Sequence, residues 1–133
     1  SMVQAAQEAI RYLQPHFWYI ENPHGGLWKR PIMTLWNAYR VTTSYCKYGT
    51  LYRKNTDIWT NATDADGRQI LLPPCCKEHP CPNYGSHPET AQSGPSMSGQ
   101  PGQGNPKNVY PIPKKFLQRL LKPLKYSSWN SSL

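Results

Sequence analysis

A carboxylate and an amide, Glu21 and Asn22, follow directly on the apolar, aromatic run His16-Phe17-Trp18-Tyr19-Ile20. Such a run reads as a strand over residues 17–20, and in open α/β sheets ligands bind in the crevice beyond the carboxyl ends of the strands. Chemistry is therefore expected first at Glu21 and Asn22. The plain alternative is a carboxylate that caps or salt-bridges at a strand end.

A second group of chemistry-bearing residues lies further on. Cys75, Cys76, Cys81 and His87, with His79 between them and Cys46 earlier, could supply a tetrahedral zinc site, because thiolates and imidazoles satisfy that ion and such sites staple loops that lack a core. The preferred ligand set is Cys46, Cys76, Cys81 and His87, with a Cys-x4-Cys-x5-His spacing over its last three members. The adjacent pair Cys75-Cys76 leaves the assignment open, and His79 could replace a ligand. Reduced, unligated cysteines are the competing reading. A disulfide is disfavoured where no secretory leader precedes. Between these groups, Tyr48-Gly49 and the basic pair Arg53-Lys54 form a further candidate, whose plain reading is a solvated basic turn.

The elements that must position these residues belong to one small domain. The 133 residues carry 38% apolar content, enough for a modest core, and 15 Lys/Arg against 7 Asp/Glu give a net charge of +8 that favours an anionic partner such as a nucleic acid. No apolar stretch approaches the roughly 20 residues of a membrane span, and no charged-then-apolar leader precedes a cleavage site. An intracellular protein, nuclear or cytoplasmic and not secreted, is expected. The glycosylation patterns at Asn61-Ala62-Thr63 and Asn130-Ser131-Ser132 are then read as chance matches.

Helical periodicity runs through Val3, Ala6, Ile10 and Leu13, predicting a helix over residues 2–13 that Pro15 closes. Ser1, in front of Met2, is either a cloning scar or a sign that the natural chain extends upstream. Asn22-Pro23-His24-Gly25-Gly26 is a breaker-rich loop, and the order helix, strand, loop suggests βαβ winding. Residues 27–36 resemble a short amphipathic helix interrupted near Pro31. Residues 39–45 and 57–60 read as strands, and Asp64-Ala65-Asp66-Gly67 as a turn. From residue 73 to 113 the composition shifts to Pro, Gly, Ser and Cys, and residues 93–108 are too poor in apolar side chains to pack by themselves. Helical spacing of Phe116, Leu117, Leu120, Leu121 and Leu124 predicts a terminal helix with a basic outer face. Most of the aromatic residues, including Trp18, Tyr19, Trp28 and Trp36, are expected in the core; Trp129 in the polar tail has no assignable role.

Four segments in order, Phe17-Trp18-Tyr19-Ile20-Glu21-Asn22-Pro23, Tyr45-Cys46-Lys47-Tyr48-Gly49, Tyr52-Arg53-Lys54-Asn55-Thr56-Asp57-Ile58-Trp59-Thr60-Asn61 and Tyr110-Pro111-Ile112-Pro113, resemble the carboxyl-terminal half of a cytosine-5 DNA methyltransferase of the virus- and phage-like type. In that family a strand ends in Glu-Asn-Val; Glu21 and Asn22 match the first two positions, and Pro23 replaces the valine. The resemblance implies that Glu21 holds the target cytosine at ring N3 and its exocyclic amine while a cysteine attacks C6. Attack at C6 pushes electrons toward N3, so an acid positioned there lowers the barrier by giving up a proton. Asn22 would orient the loop. Tyr48, Gly49, Arg53 and Lys54 would contact DNA, with the family's Arg-x-Arg pair incomplete because Asp57 stands near the expected second arginine.

The fold so implied is α/β, a partial Rossmann-like methyltransferase domain: residues 1–72 its distal half, 73–108 an irregular Cys/His- and Pro/Gly-rich loop, 109–133 a terminal helix and tail. Neither the glycine-containing turn that binds S-adenosylmethionine nor a Pro-Cys nucleophile loop precedes Glu21. Pro74-Cys75 lies after it, in an order that would require permutation. The expectation is a fragment or split half of the enzyme, inactive alone, with DNA and a separate amino-terminal half as partners and no membrane. Two other classes compete. An amino-methyltransferase is suggested by Asn22-Pro23, but His24 and Gly25 depart from its Asn-Pro-Pro-aromatic loop. A zinc-stapled basic nucleic-acid-binding domain needs no missing half.

Overall fold

Helix α1 (Met2–Leu13) starts where the sequence offers a cap: the Ser1 hydroxyl accepts from the Gln4 amide while the Gln4 side chain reaches back to the Ser1 amino group. It stops at Gln14, which adopts the left-handed conformation at φ 45° and donates its N–H to the Ile10 carbonyl. The computed structural model describes residues 1–90 and 112–123. The expectations for residues 93–108, Tyr110-Pro111, Leu124, Trp129 and Asn130-Ser131-Ser132 lie outside the described residues.

Among the described residues five strands follow: β1 (Tyr19–Pro23), β2 (Arg40–Ser44), β3 (Tyr52–Arg53), β4 (Asn55–Thr60) and β5 (Glu89–Thr90). The main sheet has the order β1-β4-β2, and β4 is antiparallel to both neighbours. The expected βαβ winding is therefore corrected for the described residues. β1 and β2 do run in the same direction, but β4 lies between them, and the link from β1 to β2 is not an α-helix. Residues 27–36 form tight 3-10 turns, Leu27–Lys29 and Pro31–Met33, followed by Trp36–Tyr39. Pro31 can open a turn but cannot sit inside an α-helix, which breaks the expected helix into pieces.

The first strand is shifted from its expected place. Asn61 donates from its amide to the His16 carbonyl and accepts from the Trp18 N–H, clamping residues 16–18 outside the ladder. Pairing then begins at Tyr19 opposite Thr60 and continues to Pro23 opposite Thr56. A proline is tolerated there because β1 has a ladder partner on one side only, as at a sheet edge. Glu21 and Asn22 consequently lie inside the strand, not beyond its end.

Each face of the sheet carries its own core. One buries Ile20 and Trp59 with Met33 and Trp36 beneath Val3, Ala6 and Ile10 of α1; Leu13, counted in the same stripe from the sequence, is exposed. The other gathers Ile58, Tyr45, Tyr48, Tyr52, Ile70, Leu71 and Phe116, the last from helix α2 (Lys114–Leu120). α2 is tied down by two long-range bonds, Tyr19 Oη to the Leu120 carbonyl at 2.5 Å and Arg119 Nε to the Ile70 carbonyl at 2.6 Å. Among the described residues no helix is long and apolar enough to cross a membrane.

Candidate functional site

Because side chains alternate along a strand, placing Glu21 and Asn22 within β1 sends them to opposite faces of the sheet. Glu21 pairs with Ile58 and shares the face of Tyr45; Asn22 pairs with Asp57 on the other side. Glu21 is exposed, and Tyr45, only 1% exposed, donates its hydroxyl to Glu21 Oε1 at 3.3 Å. Burial, and secondarily the charge of Glu21, pushes the Tyr45 hydroxyl well above the usual phenol range, so it remains a donor. The Tyr45 ring packs against Phe116 of α2 at 5.3 Å and carries the Lys54 ammonium 5.4 Å from its centroid. The result is an outward carboxyl group steadied at one oxygen by a rigid buried phenol, whose ring in turn carries a cation. Asn22 does not join it: its amide donates to the Pro23 carbonyl at 3.0 Å.

On Asn22's face lies a constellation that sequence reading passed over. Asp57, 1% exposed, accepts at Oδ1 from the Thr42 hydroxyl at 2.7 Å and from His24 at 2.9 Å, while Arg40 Nη1 stands 3.9 Å from Oδ2. Since a carboxylate only accepts, His24 Nδ1 carries the hydrogen. The Arg40 guanidinium stacks over Trp28 at 4.3 Å. His24 N–H also donates to the Asn55 carbonyl at 2.9 Å, so the loop after β1 is held by backbone and side chain together. The available signal was a carboxylate directly before Ile58-Trp59 in a strand-like segment, since a carboxylate that such a strand buries demands partners.

The basic turn divides as well. Tyr48 is buried at 4% exposure. Its oxygen accepts the Leu72 N–H at 2.9 Å, and because Thr43 donates its one hydroxyl hydrogen to the Leu72 carbonyl at 2.7 Å, Tyr48 donates to Thr43. Tyr48 is thus a core clamp on Leu72, its hydroxyl turned inward and not toward the surface where the sequence expectation had placed it. Gly49 at φ 101° makes the left-handed turn that ends the 3-10 segment Tyr45–Tyr48, and the Lys115 side chain lies beside it. Of the basic pair, Lys54 lies on the Glu21 face, while exposed Arg53 sits close enough for its charge to act on Cys75.

Cys46, Cys75, Cys81 and His87 converge, their ligand atoms all within 4.8 Å of one another. Cys81 Sγ is 3.2 Å and Cys75 Sγ 3.9 Å from His87 Nε2. Three of the four expected ligands are therefore brought together, and Cys75 stands where Cys76 was expected. Reciprocal backbone bonds between Cys76 and His79 form a tight turn, leaving Cys76 and its neighbour on different sides, and the Cys75 N–H donates to Ser44 Oγ at 2.8 Å, drawing Cys75 inward. His79 belongs to the same turn, its carbonyl accepting from Lys47 Nζ at 2.9 Å. Burial pushes the Cys46 thiol up. Burial acts the same way on Cys75, but hydrogen bonds from Cys81 and Cys46 and the Arg53 charge outweigh it and bring that thiol down. The Cys75 side chain is fully buried in this cluster.

Over 92 residues the chain is 36% identical to a protein of Frog virus 3 (isolate Goorha) described as "Probable DNA (cytosine-5)-methyltransferase". The matched region is 68% of this chain and 39% of that protein, so the chain spans well under half the length of this homologue. No family model matches the chain, and no solved structure matches it.

Proposed function

We propose that this chain is the portion of a DNA (cytosine-5)-methyltransferase that presents the acid to the target base, working with a segment outside it, and that it is inactive alone. The observation that carries this reading is the outward Glu21 carboxyl held by Tyr45, in a chain homologous to a viral protein of that description. As a thiolate from outside this chain forms its bond to C6, the C5–C6 π pair shifts through C4 toward N3. Glu21 in its acid form gives its proton to N3, and Oε1, steadied by Tyr45, accepts from the exocyclic amine. Tyr45 keeps its own proton and acts as a positioning residue. Asn22 supports the strand end instead of the base. Lys54 and the exposed Arg53 supply phosphate contacts that hold the DNA.

The reaction's methyl donor, S-adenosylmethionine, does not fit the described residues. The glycine-bearing turn after a strand, Gly25-Gly26 after β1, leads into the three-residue turn Leu27–Lys29, where the Lys29 N–H is already used by the Gly26 carbonyl. No step is derived through the donor. In this proposal its cradle belongs to the remainder of the enzyme.

The test is a chimera in which this chain replaces the matched region of the Frog virus 3 protein. Glu21→Gln should leave DNA binding intact and abolish transfer to cytosine; retained transfer would remove Glu21 from the acid's role. The cysteine cluster and the net charge of +8 favour a second reading, a non-catalytic basic nucleic-acid-binding domain. It predicts binding that falls steeply with salt and no transfer from any chimera.

A further inference from the structure

We infer that Cys46, Cys75, Cys81 and His87 form a structural zinc site that staples residues 73–90 to the end of the sheet. A tetrahedral zinc ion with sulfur at about 2.3 Å and nitrogen at about 2.0 Å separates its ligands by roughly 3.5–3.8 Å. The 3.2 Å and 3.9 Å contacts to His87 Nε2 bracket that edge, and the 4.8 Å bound on every pair needs only small side-chain rotations to close. The four donors come from two remote parts of the chain, Cys46 from the 3-10 segment Tyr45–Tyr48 and the rest from the loop, in a Cys-x5-Cys-x5-His arrangement.

Two further observations point to a bound ion in place of an apolar contact among thiols. The three cysteines make up a buried cluster by themselves, with no aliphatic or aromatic side chain in it, and they are free, not disulfide-bonded. The stretch they anchor has no regular structure between residues 73 and 88, and its only buried residues are Cys75 and Cys81, so beyond the cluster its placement rests on a few polar ties: Cys75 N–H to Ser44, Lys47 to the His79 carbonyl and Glu89 N–H to the Leu51 carbonyl. A segment with so little core of its own needs a cross-link, and a metal supplies one. The surroundings suit the charge. Three thiolates and one imidazole on Zn2+ leave one negative charge, and the Asn83 N–H donates to Cys81 Sγ at 3.3 Å to help hold it. The staple holds β5 against β3 in the register Tyr52 to Glu89 and Arg53 to Thr90, which fixes where Arg53 sits.

The experiment is metal analysis of the chain purified under reducing conditions and reconstituted with zinc, then with cobalt(II). The expected result is one tightly held zinc per chain and, with cobalt, the intense thiolate charge-transfer and tetrahedral ligand-field bands of a three-sulfur site. Cys75→Ser and Cys81→Ser should weaken binding by about a hundredfold or more, Cys76→Ser should leave it unchanged, and His87→Cys should retain it as a four-sulfur site. Chelation should accelerate exchange of the Glu89 amide. A cobalt spectrum without thiolate bands, binding that survives Cys75→Ser, or binding lost in Cys76→Ser would each overturn the assignment. Should Cys75→Ser fail to fold, the wild-type cobalt spectrum together with Cys76→Ser decides the question.

Discussion

Replacing Asp57 by alanine should be among the most damaging single changes in this chain, and its cost can be worked from its partners. The Thr42 hydroxyl at 2.7 Å makes a charge-assisted bond between groups shielded from water, worth about 1.5–3 kcal/mol. Arg40, with a side chain 27% exposed, would keep a guanidinium whose buried Nη1 has no hydrogen-bond partner and would lose its facing charge; partial hydration holds that loss to about 1 kcal/mol. His24, at 44% exposure, adds little. The sum is about 3 kcal/mol, the low end of what breaking a buried pair costs. For a domain of this size that is a fall in melting temperature of roughly 10 °C. Urea unfolding followed by tryptophan fluorescence measures it, with Asp57→Asn losing about half as much because an oxygen acceptor remains. The decisive comparison is a double-mutant cycle with Thr42→Val, which should give a coupling of about 1 kcal/mol or more. A loss below about 1 kcal/mol for Asp57→Ala, or a coupling near zero, would refute the view that this carboxylate organises the loop after β1.

Tyr45→Phe removes the hydroxyl that steadies Glu21 while preserving the ring on Phe116, so the chimera's kcat should fall about tenfold with DNA affinity unchanged; an equal loss of both would place Tyr45 in binding instead. Lys54→Ala should weaken DNA binding across all sequences and lower the salt slope by about one, as should Arg53→Ala, and titrations at several salt concentrations check this. Burial raises the hydroxyls of Tyr45, Tyr48 and Tyr52 above the ordinary value of 10.0. Groups raised on folding contribute stability below the unfolded value and lose it as pH climbs toward the folded one. Stability should therefore be flat on this account below pH 10 and fall above it, which unfolding midpoints across the alkaline range will show. A flat midpoint through that range would mean the three rings are hydrated in the folded state.

What the sequence determined by itself is what short-range physics determines. The span of helix α1 was legible because its periodic stripe and the closing Pro15 lie within one segment, although Ser1 was not read as its cap, and the Asp64 turn was legible because its carboxylate accepts from Asp66 and Arg68 a few residues away. The strands read at residues 39–45 and 57–60, found at 40–44 and 55–60, carried their own β-branched and aromatic signal, and Cys46, Cys81 and His87 announced ligand chemistry by residue type alone. The tertiary structure decided the rest. Whether Glu21 and Asn22 share a face depended on how far β1 runs along β4, and where that pairing starts rests on an Asn61 clamp some 40 residues away. The choice of Cys75 over Cys76 depended on Ser44, and the burial of Tyr48 on Thr43 and Leu72. A one-residue shift turns a side chain from one face of a strand to the other, and no local preference selects between the two. Only the long-range partners that stabilise one face over the other do, and they exist only once the chain has folded.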